Sequence, residues 1–161
     1  MKSVFKNFIL LSVIIFSNIS VSAQKEINQY DPQATFERGV MLFNSHHYGG
    51  ALDCFKQYIA SSKEECNQNI VMAKYYEAAS ALYLGNSDGE TKIIAFVKEN
   101  PTNIMSEHAN YLYANHLFKN KKYRDTLKAY NEINTECLNK EEQTECKYKQ
   151  GYCYYQTQEI V

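Results

Sequence analysis

The residues of this chain best equipped for chemistry are five cysteines, Cys54, Cys66, Cys137, Cys146 and Cys153, and an adjacent histidine pair, His46-His47. Thiolates and imidazoles bind zinc when they come as Cys-x-x-Cys pairs with a second pair of ligands at a short, regular spacing. Cys137, Cys146 and Cys153 do not have that spacing, and adjacent histidines point in different directions. No metal site and no cofactor are therefore expected. In an oxidising compartment cysteines pair instead. An odd count leaves at least one thiol without an internal partner. Cys137 and Cys146 flank one predicted connection and are the candidates for a disulfide, whereas Cys54 reads as a small buried hydrophobe. The chain has no Gly-rich phosphate loop, no Gly-x-Ser-x-Gly elbow and no His-Glu-x-x-His pair. The acidic pairs Glu64-Glu65 and Glu141-Glu142 fall at predicted helix starts, where negative charge favours the helix dipole. The reading is that the chain is not an enzyme.

Charge narrows the partners. Seventeen basic residues face eighteen acidic ones, a net charge of −1, so the basic footprint of a nucleic-acid binder is missing. One short basic run, Lys119, Lys121, Lys122 and Arg124, reads as a solvated helix end. Fourteen tyrosines and no tryptophan make the aromatic composition unusual, while only two prolines and six glycines argue against disorder.

The elements that position these residues begin after an export signal. Lys2 and Lys6 precede a short apolar stretch at 8–16 (FILLSVIIF), and Val21-Ser22-Ala23 supplies small residues for cleavage. The apolar run is well short of the roughly 18–20 residues of a membrane-spanning helix. No cysteine follows the cleavage site to carry a lipid. Residues 1–23 thus read as a signal peptide, 24–32 as a linker, and no membrane span is expected in the mature chain. Losing Lys2 and Lys6 leaves 15 basic residues against 18 acidic ones.

From residue 33 the apolar residues follow a helical period, with almost no strand-like alternation. Helices are predicted at about 36–43 and 48–59, 70–84 and 90–98, 105–118 and 123–133, with a last one at about 142–156. Polar turns (Asn44-Ser45-His46-His47 and Leu84-Gly85-Asn86-Ser87-Asp88-Gly89) separate the first two pairs, and Asn100-Pro101 stops a helix. Small residues recur at Gly39, Ala79, Ala114 and Gly151, spaced by 40, 35 and 37 residues. Tyr48 and Tyr123 lie nine residues after Gly39 and Ala114. Ala51 and Thr126 follow at twelve, and Phe55 and Tyr130 at sixteen.

This small–aromatic–small–aromatic series resembles the tetratricopeptide repeat, a helix-turn-helix unit of about 34 residues. The resemblance covers about residues 33–156. It is close in the first and third units and degenerate in the second, where Asp88, Thr91 and Ala95 take the aromatic and small positions. The stretch from Glu99-Asn100-Pro101 to Gly151-Tyr152 is similar to exported tetratricopeptide proteins of Bacteroidetes-type bacteria. What the resemblance implies is an all-α superhelix: three helical hairpins at about 33–63, 69–101 and 104–138, then an unpaired helix within 141–161. In that family the first helix of each hairpin lines a concave groove. The residues three before and four after each small residue are Phe36 and Phe43, Tyr76 and Tyr83, Tyr111 and Phe118, Tyr148 and Tyr155. All eight are aromatic, and seven residues is about two helical turns, so each pair shares a face. The resemblance implies an aromatic ladder along the groove, with Asn115 the leading polar candidate beside Asn44, His108 and Lys119. Packing between helices is the other reading of the same stripe.

The last helix carries Gly151, a turn-like Gln156-Thr157-Gln158-Glu159, and no partner helix before Val161. Because a solenoid end needs a polar capping face and this one is ringed by tyrosines, the sequence reads as part of a longer array, or as a face that binds a partner or a second copy. The functional expectation is an exported scaffold of the periplasm or cell envelope whose groove holds a peptide or helix of another protein. The alternatives are glycan binding through exposed aromatics and a purely structural segment of a longer array.

Overall fold

The computed structural model describes residues 31–62 and 67–157. The expected signal peptide at 1–23, most of the expected linker, Glu64-Glu65, Cys66 and residues 158–161 lie outside the described residues.

The described chain is all-helical: seven α-helices and one short 3₁₀ turn, with no strand among the described residues. The helices are α1 (Pro32–Asn44), α2 (Tyr48–Ser61), α3 (Gln68–Leu84), α4 (Gly89–Glu99), α5 (Ile104–Lys119), α6 (Tyr123–Asn131) and α7 (Lys140–Thr157), with Thr135–Cys137 forming the 3₁₀ turn. None is long and apolar enough to cross a membrane.

Local chemistry sets the boundaries. Pro32 opens α1, where its missing N–H costs nothing and its fixed φ suits the first turn; the helix thus takes one residue from the expected linker. The Asn67 and Asn103 side chains accept the N–H groups of Asn69 and Met105, at 3.0 and 2.9 Å, and cap α3 and α5. Gly85, at φ 71°, ends α3 in the left-handed conformation. A reciprocal pair starts α7: the Glu142 N–H donates to Asn139 Oδ1 at 2.9 Å, and the Asn139 N–H donates to Glu142 Oε2 at 3.0 Å. That box places the helix start two residues before the expected one. α6 stops at Asn131, earlier than expected, and Ile133 instead packs from the following turn into the core.

Consecutive helices pack along the chain, and α1 touches α3 as α3 touches α5. Three core clusters result. Phe36, Ala51, Phe55, Tyr58, Ile70 and Ala73 join α1, α2 and α3. Tyr75, Ala79, Leu82, Ile93, Phe96 and Ala109 join α3, α4 and α5. Tyr111, Ala114, Tyr130, Ile133, Leu138 and Cys146 join α5, α6 and α7. Gly39, Ala79 and Ala114 are buried at the helix crossings. A Cβ on Gly39 would lie 2.9 Å from the Phe55 ring, so only glycine lets α1 sit this close to α2.

Two of the hairpin turns are the same structure. His46 and Lys121 both take a left-handed backbone, at φ 61° and 59°. In the first turn the N–H groups of His46, His47 and Ala51 donate to Phe43, Leu42 and His47. In the third, those of Lys121, Lys122 and Thr126 donate to Phe118, Leu117 and Lys122. The corresponding residues are 75 apart throughout. The second turn is built differently, with Gly85 in the left-handed position and Gly89 backed tightly against Ala81 and Leu82.

Candidate functional site

An open groove of about 590 Å³ runs over α3, α5 and α7, and all of its lining comes from these three helices. α3 and α5 are each followed by a helix that packs against them. Leu82 and Tyr83 line it from α3, Leu112 and Phe118 from α5, and Glu145 and Lys149 from α7. Aliphatic and aromatic surface thus surrounds a polar floor.

The floor is one hydrogen-bonded network. The Tyr111 hydroxyl donates to Glu145 Oε2. The Lys149 ammonium sits 2.5 Å from Glu145 Oε1 and donates to Asn115 Oδ1 at 2.6 Å. The Tyr130 hydroxyl, reaching through from α6, also donates to Asn115 Oδ1. Lys149 Nζ lies 5.2 Å from the centre of the Phe118 ring, within the range of a cation–π contact. Burial opposes ionisation of Glu145, but hydrogen bonds from Lys149 and Tyr111 outweigh it and hold the carboxyl below its ordinary range. Burial and then the bond to Glu145 push the Tyr111 phenol well up, and burial does the same to Tyr130. The floor is therefore a carboxylate and an ammonium joined by neutral tyrosines and one amide, and its charge is internally balanced.

Of the residues expected along the groove, Tyr83, Tyr111, Asn115, Phe118 and Lys119 line it. The others do not. Phe36 is buried against Phe55 and Tyr58, with ring centres at 5.9 and 5.2 Å, because it sits over the crossing of α1 and α2. Phe43 and Tyr76 are half-buried in an aromatic pack: Phe43 meets Tyr76 edge-on at 4.9 Å, and Tyr76 stacks on Phe55 at 5.1 Å and 12°. Tyr148 and Tyr155 are exposed, at 68% and 75%. α7 turns Glu145, Cys146 and Lys149 toward α5, so Tyr148, Gly151 and Tyr155 face away from it. The ladder is thus part packing and part exposed surface, and only its middle belongs to the groove. Asn44 is exposed at the end of α1, and His108 faces Glu142 at 3.9 Å; neither lines the groove.

Cys137 and Cys146 are free thiols. Cys146 is buried beside Tyr130 and Leu138, whereas Cys137 sits half-buried in the 3₁₀ turn, so the anticipated bridge is not formed. Burial, with help from Glu145 and Glu142, pushes the Cys146 thiol up to about 11. Cys54 is buried, as its reading as a small hydrophobe requires. Among the described residues no group of three or more His, Cys, Asp and Glu side chains could hold a metal ion.

Glu145, Lys149 and His116 were not singled out by residue type. Their signal was positional. Tyr111 to Glu145 and Asn115 to Lys149 are both 34 residues apart, and Glu145 precedes Lys149 by one helical turn in the order that favours an ion pair. No family model, curated protein or solved structure matches the chain.

Proposed function

We propose that this chain is an exported scaffold of the tetratricopeptide type, acting in the bacterial cell envelope, and that its α3–α5–α7 groove holds a peptide or helix of a partner protein. The observation that carries this reading is the makeup of the groove. A peptide needs apolar surface for its side chains and fixed polar groups for its backbone. Leu82, Tyr83, Leu112 and Phe118 offer the first, and the Tyr111–Glu145–Lys149–Asn115 network offers the second, already organised. Recurrence of one turn geometry 75 residues apart supports a repeat architecture. The predicted signal sequence supports export.

The test is selection of a randomised peptide library against the purified mature chain, followed by calorimetry on the recovered peptides. Tyr83→Ala and Lys149→Ala should each weaken binding by about tenfold, the scale of a central contact. Circular dichroism on each variant controls for folding. Peptides that bind equally well to both variants would place the partner elsewhere and end the groove assignment.

A further inference from the structure

We propose that the α3–α5–α7 groove selects an extended, proline-rich peptide carrying an acidic side chain, and not a helix. This inference rests on the reading of the groove as a peptide site and names the class of peptide.

The orientation of one amide is decisive. An ammonium group can only donate hydrogen bonds. Lys149 therefore fixes Asn115 with Oδ1 toward it, at 2.6 Å, and the Tyr130 hydroxyl donates to the same oxygen. Both lone pairs of Oδ1 are then used. The amide nitrogen, on the other side of the group, carries two N–H donors. One faces the Tyr111 hydroxyl, and the other meets no acceptor among the described residues. Glu145 is already engaged at both oxygens, by Lys149 on Oε1 and Tyr111 on Oε2. The floor thus has an N–H to give, while its acceptors are occupied.

That asymmetry chooses the ligand. A helix satisfies its own backbone and would lay apolar side chains over a floor that needs a polar partner. Each buried group left unpaired costs about 1–3 kcal/mol. An ordinary extended segment brings carbonyls, but an N–H with each of them. Those N–H groups find acceptors when the segment joins a sheet edge, and there is no strand among the described residues. Proline has the carbonyl without the N–H. A run of prolines also holds the polyproline II conformation before it binds, which lowers the ordering cost.

The walls suit proline rings. Tyr83 is half-exposed, and its ring is fixed by stacking on Tyr48 at 4.4 Å and by Phe43 edge-on at 5.9 Å. Phe118 is fixed by Tyr123 and Tyr152, at 6.0 and 5.5 Å. Rings set in place before binding form the kind of aromatic groove in which polyproline segments dock. Three adjacent helices present a groove roughly 16–20 Å across, the reach of about five or six residues of polyproline II.

Charge adds the acidic side chain. Within the lining, Glu145 and Lys149 cancel. His116 faces Glu90 at 3.1 Å. Lys119, exposed at the end of α5, has no carboxylate partner among the described residues. One unpaired cation therefore remains at that end of the groove, and a peptide carboxylate complements it.

The experiment is calorimetric titration of the purified chain with a capped peptide of eight prolines and a glutamate at each end. Acetyl and amide caps leave the side chains as its only charges. The controls replace the glutamates by glutamine, replace the prolines by alanine, or present a stapled amphipathic helix. The proline–glutamate peptide should bind at least about tenfold more tightly than the alanine peptide and the helix. The glutamine version should bind several-fold more weakly, and Lys119→Gln should remove that difference. Tyr83→Ala should weaken binding about tenfold, with circular dichroism as the control for folding. A stapled helix or an alanine peptide that binds as well, and is weakened by Tyr83→Ala, would overturn this inference and leave the groove in place. Equal binding of the glutamine version would overturn the acidic requirement in the same way. Failure of every peptide to bind, or binding indifferent to Tyr83→Ala, would remove the groove reading as well.

Discussion

The first and third hairpins solve the same packing problem with opposite chemistry. Phe55 and Tyr130 stand sixteen residues after Gly39 and Ala114, behind turns of identical hydrogen bonding. Both are almost wholly buried. Phe55 completes a dry aromatic contact, edge-on to Phe36 and stacked on Tyr76. Tyr130 instead sends its hydroxyl to Asn115, which also receives Lys149 from α7. The residue after the small position differs accordingly: Val40 packs into the first core cluster, while Asn115 builds the groove floor. In the second unit the matching residue is Ser80, buried with no hydrogen-bond partner for its hydroxyl. The position sixteen residues after Gly39 and after Ala114 is thus buried in both hairpins. One neighbouring position decides whether the surface above it is inert or able to bind.

The contrast breaks most visibly at Phe55. Phe55→Ala empties a fully buried site against two rings, those of Phe36 and Tyr76, and should cost about 3–5 kcal/mol, read as a drop in the urea midpoint. Tyr130→Phe should cost far less, about 0.5–1.5 kcal/mol, because it removes one hydroxyl while Lys149 still satisfies Asn115. Similar costs for the two would mean that the third interface is not polar in the sense drawn here.

Acid should separate the two interfaces further. The Glu145 carboxyl is held below its ordinary value of 4.5 by Lys149 and Tyr111 against the cost of burial. A carboxyl with a depressed folded value adds stability that is fully present above the unfolded value and is lost as pH falls through the folded one. The thermal unfolding midpoint of the native chain should therefore fall below about pH 4.5. Glu145→Gln should flatten part of that slope and leave the behaviour above pH 6 close to that of a modest hydrogen-bond loss. An unchanged acid slope in Glu145→Gln would show that Glu145 carries no linked stability.

How much of this was legible in the sequence depended on periodicity. Helical spacing gave the seven helices, with ends shifted where a cap such as Asn139 or an opening Pro32 outweighed the hydrophobic pattern. The small residues Gly39, Ala79 and Ala114 marked true crossings because a close approach leaves no room for other types. The aromatic ladder was only partly legible as a groove. Residue type does not say whether a ring such as Phe36 faces a partner helix or solvent. The polar floor was missed because Glu145 and Lys149 resemble any exposed ion pair until their 34-residue offset from Tyr111 and Asn115 is noticed. The left-handed positions of His46 and Lys121 carried no sequence signal, since neither is glycine or asparagine.

The smallest predicted effect sharpens the comparison at the fourth small residue. Gly39 and Gly151 hold the same place in the expected repeat, yet a Cβ on Gly39 would strike Phe55 and Cys54, and one on Gly151 would meet nothing within 4 Å. Gly151 lies inside α7 on the exposed face that also carries Tyr148 and Tyr155. With no packing to lose, Gly151→Ala should register only the backbone preference for alanine and stabilise the chain by about 0.5–1 kcal/mol. Differential scanning calorimetry at several protein concentrations would measure it. Destabilisation that grows with concentration would mean that this face is covered in solution, because a helix seated against Gly151 as α2 is seated against Gly39 has no space for a methyl group.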